Sequence, residues 1–329
     1  MKTPDFWRRN SKSLMPYLLA PAAWAYGGGS RLHRSFRKSH RVEVPVICVG
    51  NVVAGGAGKT PVAIAIARFF LAEGKRPHFL TRGYGGQLKG PVRVVPDVHK
   101  FADVGDEALI LSATATTWVA QDRVAGARAA VEAGADVIIM DDGFQNPSLA
   151  KDLSLLVLDA EYGVGNGRLL PAGPLRETLA SGLERTDAIV LVGGNRDSDI
   201  YNGLKENKPV YNSRLLPKQN ADAISGEAVV AFAGIGRPEK FFDSLRQAGC
   251  RLISSFSYED HHVYNKQEIM KMVETAAAQN AALVTTRKDY VRLSTDARMM
   301  VSVFDVEMNF EAPAEFQKQL LSVLKGARV

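Results

Sequence analysis

The residues Cys48-Val49-Gly50-Asn51-Val52-Val53-Ala54-Gly55-Gly56-Ala57-Gly58-Lys59-Thr60-Pro61 constrain this chain more than any others. They follow an apolar run, Val44 to Val49, and precede a helical pattern, Val62 to Glu73. Strand, glycine-rich loop and helix in that order let backbone N–H groups at a helix N-terminus wrap a phosphate. Val53, Ala54, Gly55, Gly56, Ala57 and Gly58 would form the cradle, Lys59 would reach the outer phosphates, and the Thr60 hydroxyl would meet Mg²⁺. The usual spacing puts glycine five residues before Gly58, where this chain has Val53. The competing reading is a tight strand-to-helix turn with a surface lysine.

A length of 329 residues holds two domains, or one large α/β domain with additions. The two cysteines, Cys48 and Cys250, have no metal-ligand spacing, so a disulfide framework is unsupported and a reducing compartment fits better. Charge is unevenly placed. Residues 1–41 carry nine Lys or Arg against Asp5 alone, a local +8 within an overall +6, so the rest of the chain sums to −2. A broad nucleic-acid surface is thereby disfavoured, and a local anionic partner is favoured.

Between the two basic clusters lie thirteen residues, Leu14 to Tyr26, with prolines at 16 and 21. Spanning a bilayer takes about 20 apolar residues, so this stretch does not cross one. A secretory signal is one reading, since Ala23-Trp24-Ala25 mimics a cleavage site, but a nucleotide loop 25 residues later argues against export. A helix packed on the body is another. The reading adopted is an interfacial anchor, with Trp7, Tyr17, Trp24 and Tyr26 among apolar residues and flanking cations for anionic headgroups.

After the loop helix come a strand at Arg76 to Thr81 and the turn Arg82-Gly83-Tyr84-Gly85-Gly86, then Val92 to Val95. Asp106 and Glu107 open an apolar helix, where acids usually cap or meet the helix dipole. Within Asp136 to Gln145, the four apolar residues Val137 to Met140 read as a buried parallel strand delivering Asp141 and Asp142 at its C-terminal end, which resembles a Walker B element for Mg²⁺. A long Gly/Pro loop, Gly163 to Pro174, leads to Arg176 and Glu177 at the start of a predicted helix. The polar stretch 193–209 reads as a surface excursion. At Val229 to Gly234 the strand–turn–helix pattern restarts, and His261-His262 follows a strand there without a third metal ligand at short spacing. Taken alone, such loop histidines are structural or solvated.

The ordered set of motifs resembles the tetraacyldisaccharide 4′-kinase family nearly end to end. It comprises Leu18-Leu19-Ala20-Pro21, Val53 through Pro61, Arg82 through Gly86, Gly105-Asp106-Glu107, Asp141 through Gln145, and Leu170 through Glu177. It continues with Gly234 through Pro238, Asp260-His261-His262 and Thr286-Arg287-Lys288-Asp289. The family's loop also lacks the first glycine, so Val53 supports the match, whereas Asn146 departs from a common histidine.

The resemblance implies transfer of the ATP γ-phosphoryl group to the 4′-hydroxyl of a tetraacylated disaccharide 1-phosphate, giving lipid IVA. It implies Asp106 paired with a histidine, His261 preferred and His262 possible, as the base. It implies ATP and Mg²⁺ held by Lys59, Thr60 and Asp141 or Asp142, and Tyr84, Gln145, Arg176 and Glu177 near substrate. The expected fold is α/β. A P-loop NTPase-like parallel sheet domain (42–218) precedes a second, smaller α/β domain (219–329) that closes the cleft, with the C-terminal helix free to return to the first. An N-terminal amphipathic membrane-associating segment (1–41) completes it. A glycolipid substrate and a peripheral place on the cytoplasmic face of the bacterial inner membrane follow from the same resemblance; an anionic membrane surface against residues 1–41 and no nucleic acid follow from the charge distribution, and a monomer is assumed with the oligomeric state undetermined. Two other classes compete. One is a P-loop GTPase or switch protein, which would want Asn-Lys-x-Asp, of which Thr286-Arg287-Lys288-Asp289 is a faint echo. The other is a small-molecule kinase with an incidental apolar N-terminus.

Overall fold

The structure is a computed structural model that describes residues 4–35, 38–194, 204, 208–218 and 225–326. Most of the expected excursion at 193–209 lies outside the described residues. Thirteen strands are described: β1 Val46–Gly50, β2 Pro77–Thr81, β3 Val92–Arg93, β4 Thr117–Val119, β5 Val137–Asp141, β6 Leu153–Asp159 and β7 Ala188–Val192. The others are β8 Val210–Pro217, β9 Ala228–Ala233, β10 Arg251–Ser257, β11 Ala282–Thr286, β12 Ser302–Phe304 and β13 Val306–Phe310.

Nine of them form one sheet in the order β13-β8-β7-β6-β1-β5-β2-β4-β3, and four form a second in the order β10-β9-β11-β12. The large sheet is parallel except at its rims, where β3 pairs antiparallel with β4 and β13 with β8. β1 sits between β5 and β6 and is buried along its whole length, as its run Val46-Ile47-Cys48-Val49-Gly50 requires of a strand covered on both faces. Strand order diverges on either side of β1. In open α/β sheets that is where ligands bind, beyond the strands' carboxyl ends.

One face of the sheet is covered by the helix Lys59–Ala72, which buries Val62, Ala63, Ile66, Ala67 and Phe70 at helical spacing. Full burial of a side chain such as Ile66 or Phe70 stabilises by about 1.5–3 kcal/mol. The last helix, Pro313–Gly326, adds Phe316, Leu320 and Val323 to the same core. The chain thus leaves the large sheet after β8, builds the small sheet, and returns through β13 and this helix. β13 pairs with β8 over Val306–Phe310, with Met308 set against the same core. The four-stranded sheet is parallel and sandwiched. Phe241, Phe242 and Leu245 from the helix Pro238–Gln247 cover one face; Ile269, Met272 and Ala276 from Lys266–Ala278 cover the other.

Residues 4–35 run along the outside of the large unit. The Trp7 indole N–H donates to the Pro171 carbonyl at 3.1 Å, Asn166 donates to the Phe6 carbonyl at 2.9 Å, and the Arg168 guanidinium lies 4.4 Å from the Tyr17 ring centre. Beyond these ties the helices Met15–Leu18 and Ala20–Ser35 leave apolar side chains in the open, with Leu18 73% and Trp24 75% exposed. Among the described residues no helix is long and apolar enough to cross a membrane.

Candidate active site

The loop after β1 turns into its helix through Gly58, whose φ of 87° is left-handed backbone that favours glycine. The turn puts Lys59 and Thr60 at the first helical positions, below the carboxyl end of β1. Thr60 Oγ1 donates to Asp141 Oδ2 at 3.0 Å, and Lys59 Nζ lies 3.8 Å from Asp142 Oδ1 and 3.4 Å from the Gly55 carbonyl. β5 neighbours β1 in register, with Val49 opposite Asp141, so the sheet itself delivers the acid to the hydroxyl.

Asp141 is buried, and burial pushes its carboxyl up to about 6; its Oδ1 has no hydrogen-bond partner among the described residues. Asp142 is opposite in sign. Burial would raise it, but Lys59 and Arg176 outweigh that and hold it below its ordinary value. Burial also lowers Lys59, against the pull of Asp142. A buried carboxylate oxygen without a donor, beside a hydroxyl oxygen, is a donor set suited to a hard divalent cation. Thr60 and the Asp pair therefore fit Mg²⁺.

A second layer braces this wall. Arg176 Nη1 donates to both oxygens of Asp142, at 2.9 and 3.0 Å, and to Gln145 Oε1 at 3.3 Å. Gln145 Nε2 donates to the Asn51 carbonyl at 2.7 Å and to Glu177 Oε1 at 3.1 Å, and Arg185 reaches Glu177 Oε2 at 2.7 Å. The long Gly/Pro loop is placed by backbone pairing with the phosphate loop: Ala54 N–H donates to the Pro174 carbonyl at 2.7 Å and Arg176 N–H to that of Val52 at 2.8 Å. One expectation needs correction here. Arg176 and Glu177 do not begin a helix; the helix is Leu179–Glu184, capped by the Thr178 hydroxyl, which accepts from Ser181 N–H at 3.2 Å. The cap and the pairing to Val52 leave Arg176 and Glu177 in the bend before the helix, at the edge of the site. Asn146, which departs from the family pattern, organises a turn, its Oδ1 accepting from Ser148 N–H at 3.1 Å and Leu149 N–H at 3.2 Å.

The other wall joins the two sheets. Asp106 opens the helix Asp106–Ser112 after Gly105, whose φ of 84° and close approach to the Tyr84 carbonyl leave no room for a side chain. His261 Nδ1 lies 3.1 Å from Asp106 Oδ2, and Arg292 Nε donates to the same oxygen at 3.0 Å, its Nη2 forming a second bond. Arg292 is fixed by the Gly234 carbonyl at 2.8 Å and by Asp289 at 3.2 Å, and Asp289 in turn accepts from Tyr264 at 2.7 Å. Burial would raise Asp106, but the His261 hydrogen bond and nearby cations hold it well below the usual carboxylate range; the same bond raises His261. Glu107, pushed up to about 7 by burial, meets Lys288 Nζ at 2.5 Å. Asp106, Glu107 and His261 bring one ligand atom each within 4.8 Å of one another, but Arg292 already satisfies Asp106.

His262 turns the other way, 3.1 Å from Glu268 and stacked 4.5 Å from the Tyr258 ring, wholly inside the smaller unit. Tyr84 is 70% exposed at the lip, its ring centre 5.6 Å from that of His261. The walls enclose a cleft of about 2440 Å³ lined by residues 53–60, Asp141, Asp142, Arg176, Tyr84, His261 and Lys288. The structure thus gathers Lys59, Thr60, Asp141, Asp142, Gln145, Arg176 and Glu177 into one connected group, and Asp106, His261 and Tyr84 into another. Sequence reasoning missed Arg292 and Lys288. Lys288 lay inside a quoted motif; Arg292, on no strand or helix of its own, gave no local signal.

The family described as tetraacyldisaccharide-1-P 4′-kinase matches residues 15–325. A tetraacyldisaccharide 4′-kinase of Paramagnetospirillum magneticum is 51% identical over 314 residues, covering 95% of this chain and 96% of that one. Its counterpart in Rhodospirillum centenum is 46% identical over 332 residues, covering 99% and 98%. Among solved structures, LpxK from Aquifex aeolicus, described as an "apo" form in complex with ATP, superposes with a TM-score of 0.76 at 26% identity. It covers 94% of this chain and 99% of that one.

Proposed function

The chain belongs to the tetraacyldisaccharide-1-P 4′-kinase family, and from that premise we propose how its residues divide the reaction. The activity is ATP-dependent phosphorylation of the lipid A precursor at its 4′ position. Phosphoryl transfer asks a protein mainly for positioning and charge neutralisation. Residues 53–60 cradle the triphosphate, with Lys59 on its β- and γ-phosphates. Thr60 and Asp141, with Asp142 beside them, would hold Mg²⁺, which supplies charge neutralisation on the phosphoryl oxygens when bound.

The observation that carries the base assignment is the contact of His261 Nδ1 with Asp106 at 3.1 Å. Asp106, paired with Arg292, stays ionised and is a weak base by itself. It accepts a hydrogen bond from Nδ1–H of neutral His261 and so leaves the Nε2 lone pair to take the proton of the acceptor hydroxyl. His261 then becomes the imidazolium that Asp106 stabilises. Because the pair spans two sheets, the base is complete only with the cleft closed, which also keeps water from the γ-phosphate. Tyr84 borders the acceptor beside His261, and Arg176, Gln145 and Glu177 hold the metal wall in shape. The working units are residues 42–218 and 219–329, the second lending residues 306–326 back to the first.

Residues 1–41 form the membrane-facing segment. A four-chain lipid stays in its bilayer, since each buried CH₂ is worth about 0.8 kcal/mol, so the kinase works as a peripheral protein at the ATP-containing cytoplasmic face. The exposed Leu18 and Trp24 support that reading. Incubation with γ-labelled ATP, Mg²⁺ and lipid disaccharides against soluble sugars tests the acceptor: label is expected in the lipid alone. Deleting residues 1–26 is expected to lower flotation with anionic vesicles, and undiminished flotation would remove the anchor.

A further inference from the structure

A second bridge between the two sheets lies away from the Asp106 pair, at the phosphate loop. Asp159 ends β6, the strand beside β1, and is buried. Its Oδ1 accepts from the N–H groups of Glu161 and Tyr162, at 3.0 and 2.9 Å, and so is fixed by its own loop. Its Oδ2 receives two cations from the smaller unit: Arg237, and Lys240 Nζ at 2.8 Å. The same Arg237 nitrogen donates to the Gly56 carbonyl at 3.3 Å, and the guanidinium lies 5.4 Å from the Tyr162 ring centre. Lys240 also meets Glu161 at 2.9 Å.

We propose that Arg237 is a positioning residue for the nucleotide step: by bonding Asp159 and Gly56 together it fixes the phosphate loop when the smaller unit is seated. Around Gly55 and Gly56 the loop is open; among the described residues a side chain on either would meet nothing within 4 Å, so side-chain packing does not set their conformation. Ordering such glycines costs backbone entropy. A charge-assisted donor on the Gly56 carbonyl, itself anchored to a rigid strand end, removes that cost before the triphosphate arrives. The smaller unit therefore serves both ends of the reaction: His261 for the acceptor, Arg237 for the donor.

The proposal rests on reading residues 53–60 as the nucleotide loop, and the test separates the two. With full-length enzyme, Mg·ATP and a tetraacyldisaccharide acceptor in mixed micelles, Arg237→Ala is expected to raise KM for ATP about tenfold while KM for the lipid stays within about twofold. Arg237→Lys keeps a charge on Asp159 without a second arm for Gly56, and should raise it about threefold. Asp159→Asn, which still accepts the Glu161 and Tyr162 N–H groups, should match Arg237→Ala. The double variant should lose about tenfold and not a hundredfold, because both changes cut one tie. Lower thermal stability with an unaltered KM for ATP, or fully additive losses, would overturn the proposal. Amide exchange across residues 54–60 in nucleotide-free protein gives an independent reading: faster in Arg237→Ala with residues 137–141 unchanged supports the tie, equal rates refute it. If Lys59→Ala leaves KM for ATP unaltered, the loop assignment fails; if Lys59→Ala raises it and Arg237→Ala does not, only the tie fails.

Discussion

Asp141 and Asp106 are buried alike, 2% and 3% exposed, yet the molecule treats them in opposite ways. Around Asp141 the chain supplies a hydroxyl and a lysine at one remove, leaves Oδ1 without a donor, and lets burial push the carboxyl up to about 6. Around Asp106 it supplies Arg292 and His261, and the carboxyl is held far below its ordinary range. The first site has a charge deficit that only an arriving cation meets. The second is neutralised by the chain's own other half. On the proposed division of roles, nucleotide binding is left to be completed by ligand, while the proton-transfer pair is completed by closure.

The largest expected effect falls on the closed side. Asp106→Ala should cut kcat by about 10²–10⁴, with KM for ATP changed far less; steady-state kinetics that show equal losses in both would break the division. Next comes stability. Arg292→Ala leaves Asp106 buried and without its directly bonded cation, and should cost about 3–5 kcal/mol in denaturant unfolding. Asp141→Asn should do the reverse. A carboxyl raised from 3.8 to about 6 pays for its ionised form in the fold, so neutralising it should gain on the order of 1–3 kcal/mol at pH 7 while raising the Mg²⁺ concentration that transfer requires. If both changes destabilise equally, the two carboxylates are not the contrasting pair described.

The smallest effect is in pH. His261 is raised by its bond to Asp106, so its contribution to folding is fully present below about 6.5 and is lost as pH rises through the higher folded value. Catalysis has the opposite sign, because the base must be neutral. A kcat profile should therefore rise about tenfold per pH unit up to a pKa above 6.5 and then level. Its acid limb should vanish in His261→Ala.

The same contrast explains what was legible. The phosphate loop with Thr60 follows β1 and the Asp141-Asp142 pair stands at the end of β5, two parallel neighbours whose apolar runs are plain, so their meeting follows from parallel order. Asp106 looked like an ordinary first-turn acid and His261 like a loop histidine. Only the resemblance paired them, across 155 positions that no local pattern spans. The second-layer partners Arg292, Lys288, Asp159 and Arg237 act through contacts between sheets, which spacing along the chain does not encode. The return of β13 was unread for a related reason: Val306–Phe310 is a short rim strand whose burial comes from β8 and the closing helix. The helix start near Arg176 was set too early because Thr178, two residues on, supplies the cap.

The central claim is that Asp106 and His261, from different sheets, act as one base. A double-mutant cycle on kcat tests it most directly, with Asp106→Ala, His261→Ala and the double variant assayed under saturating Mg·ATP and lipid. If the pair acts as a unit, the double variant should be no slower than the slower single variant by more than about threefold. Losses that multiply would contradict the account.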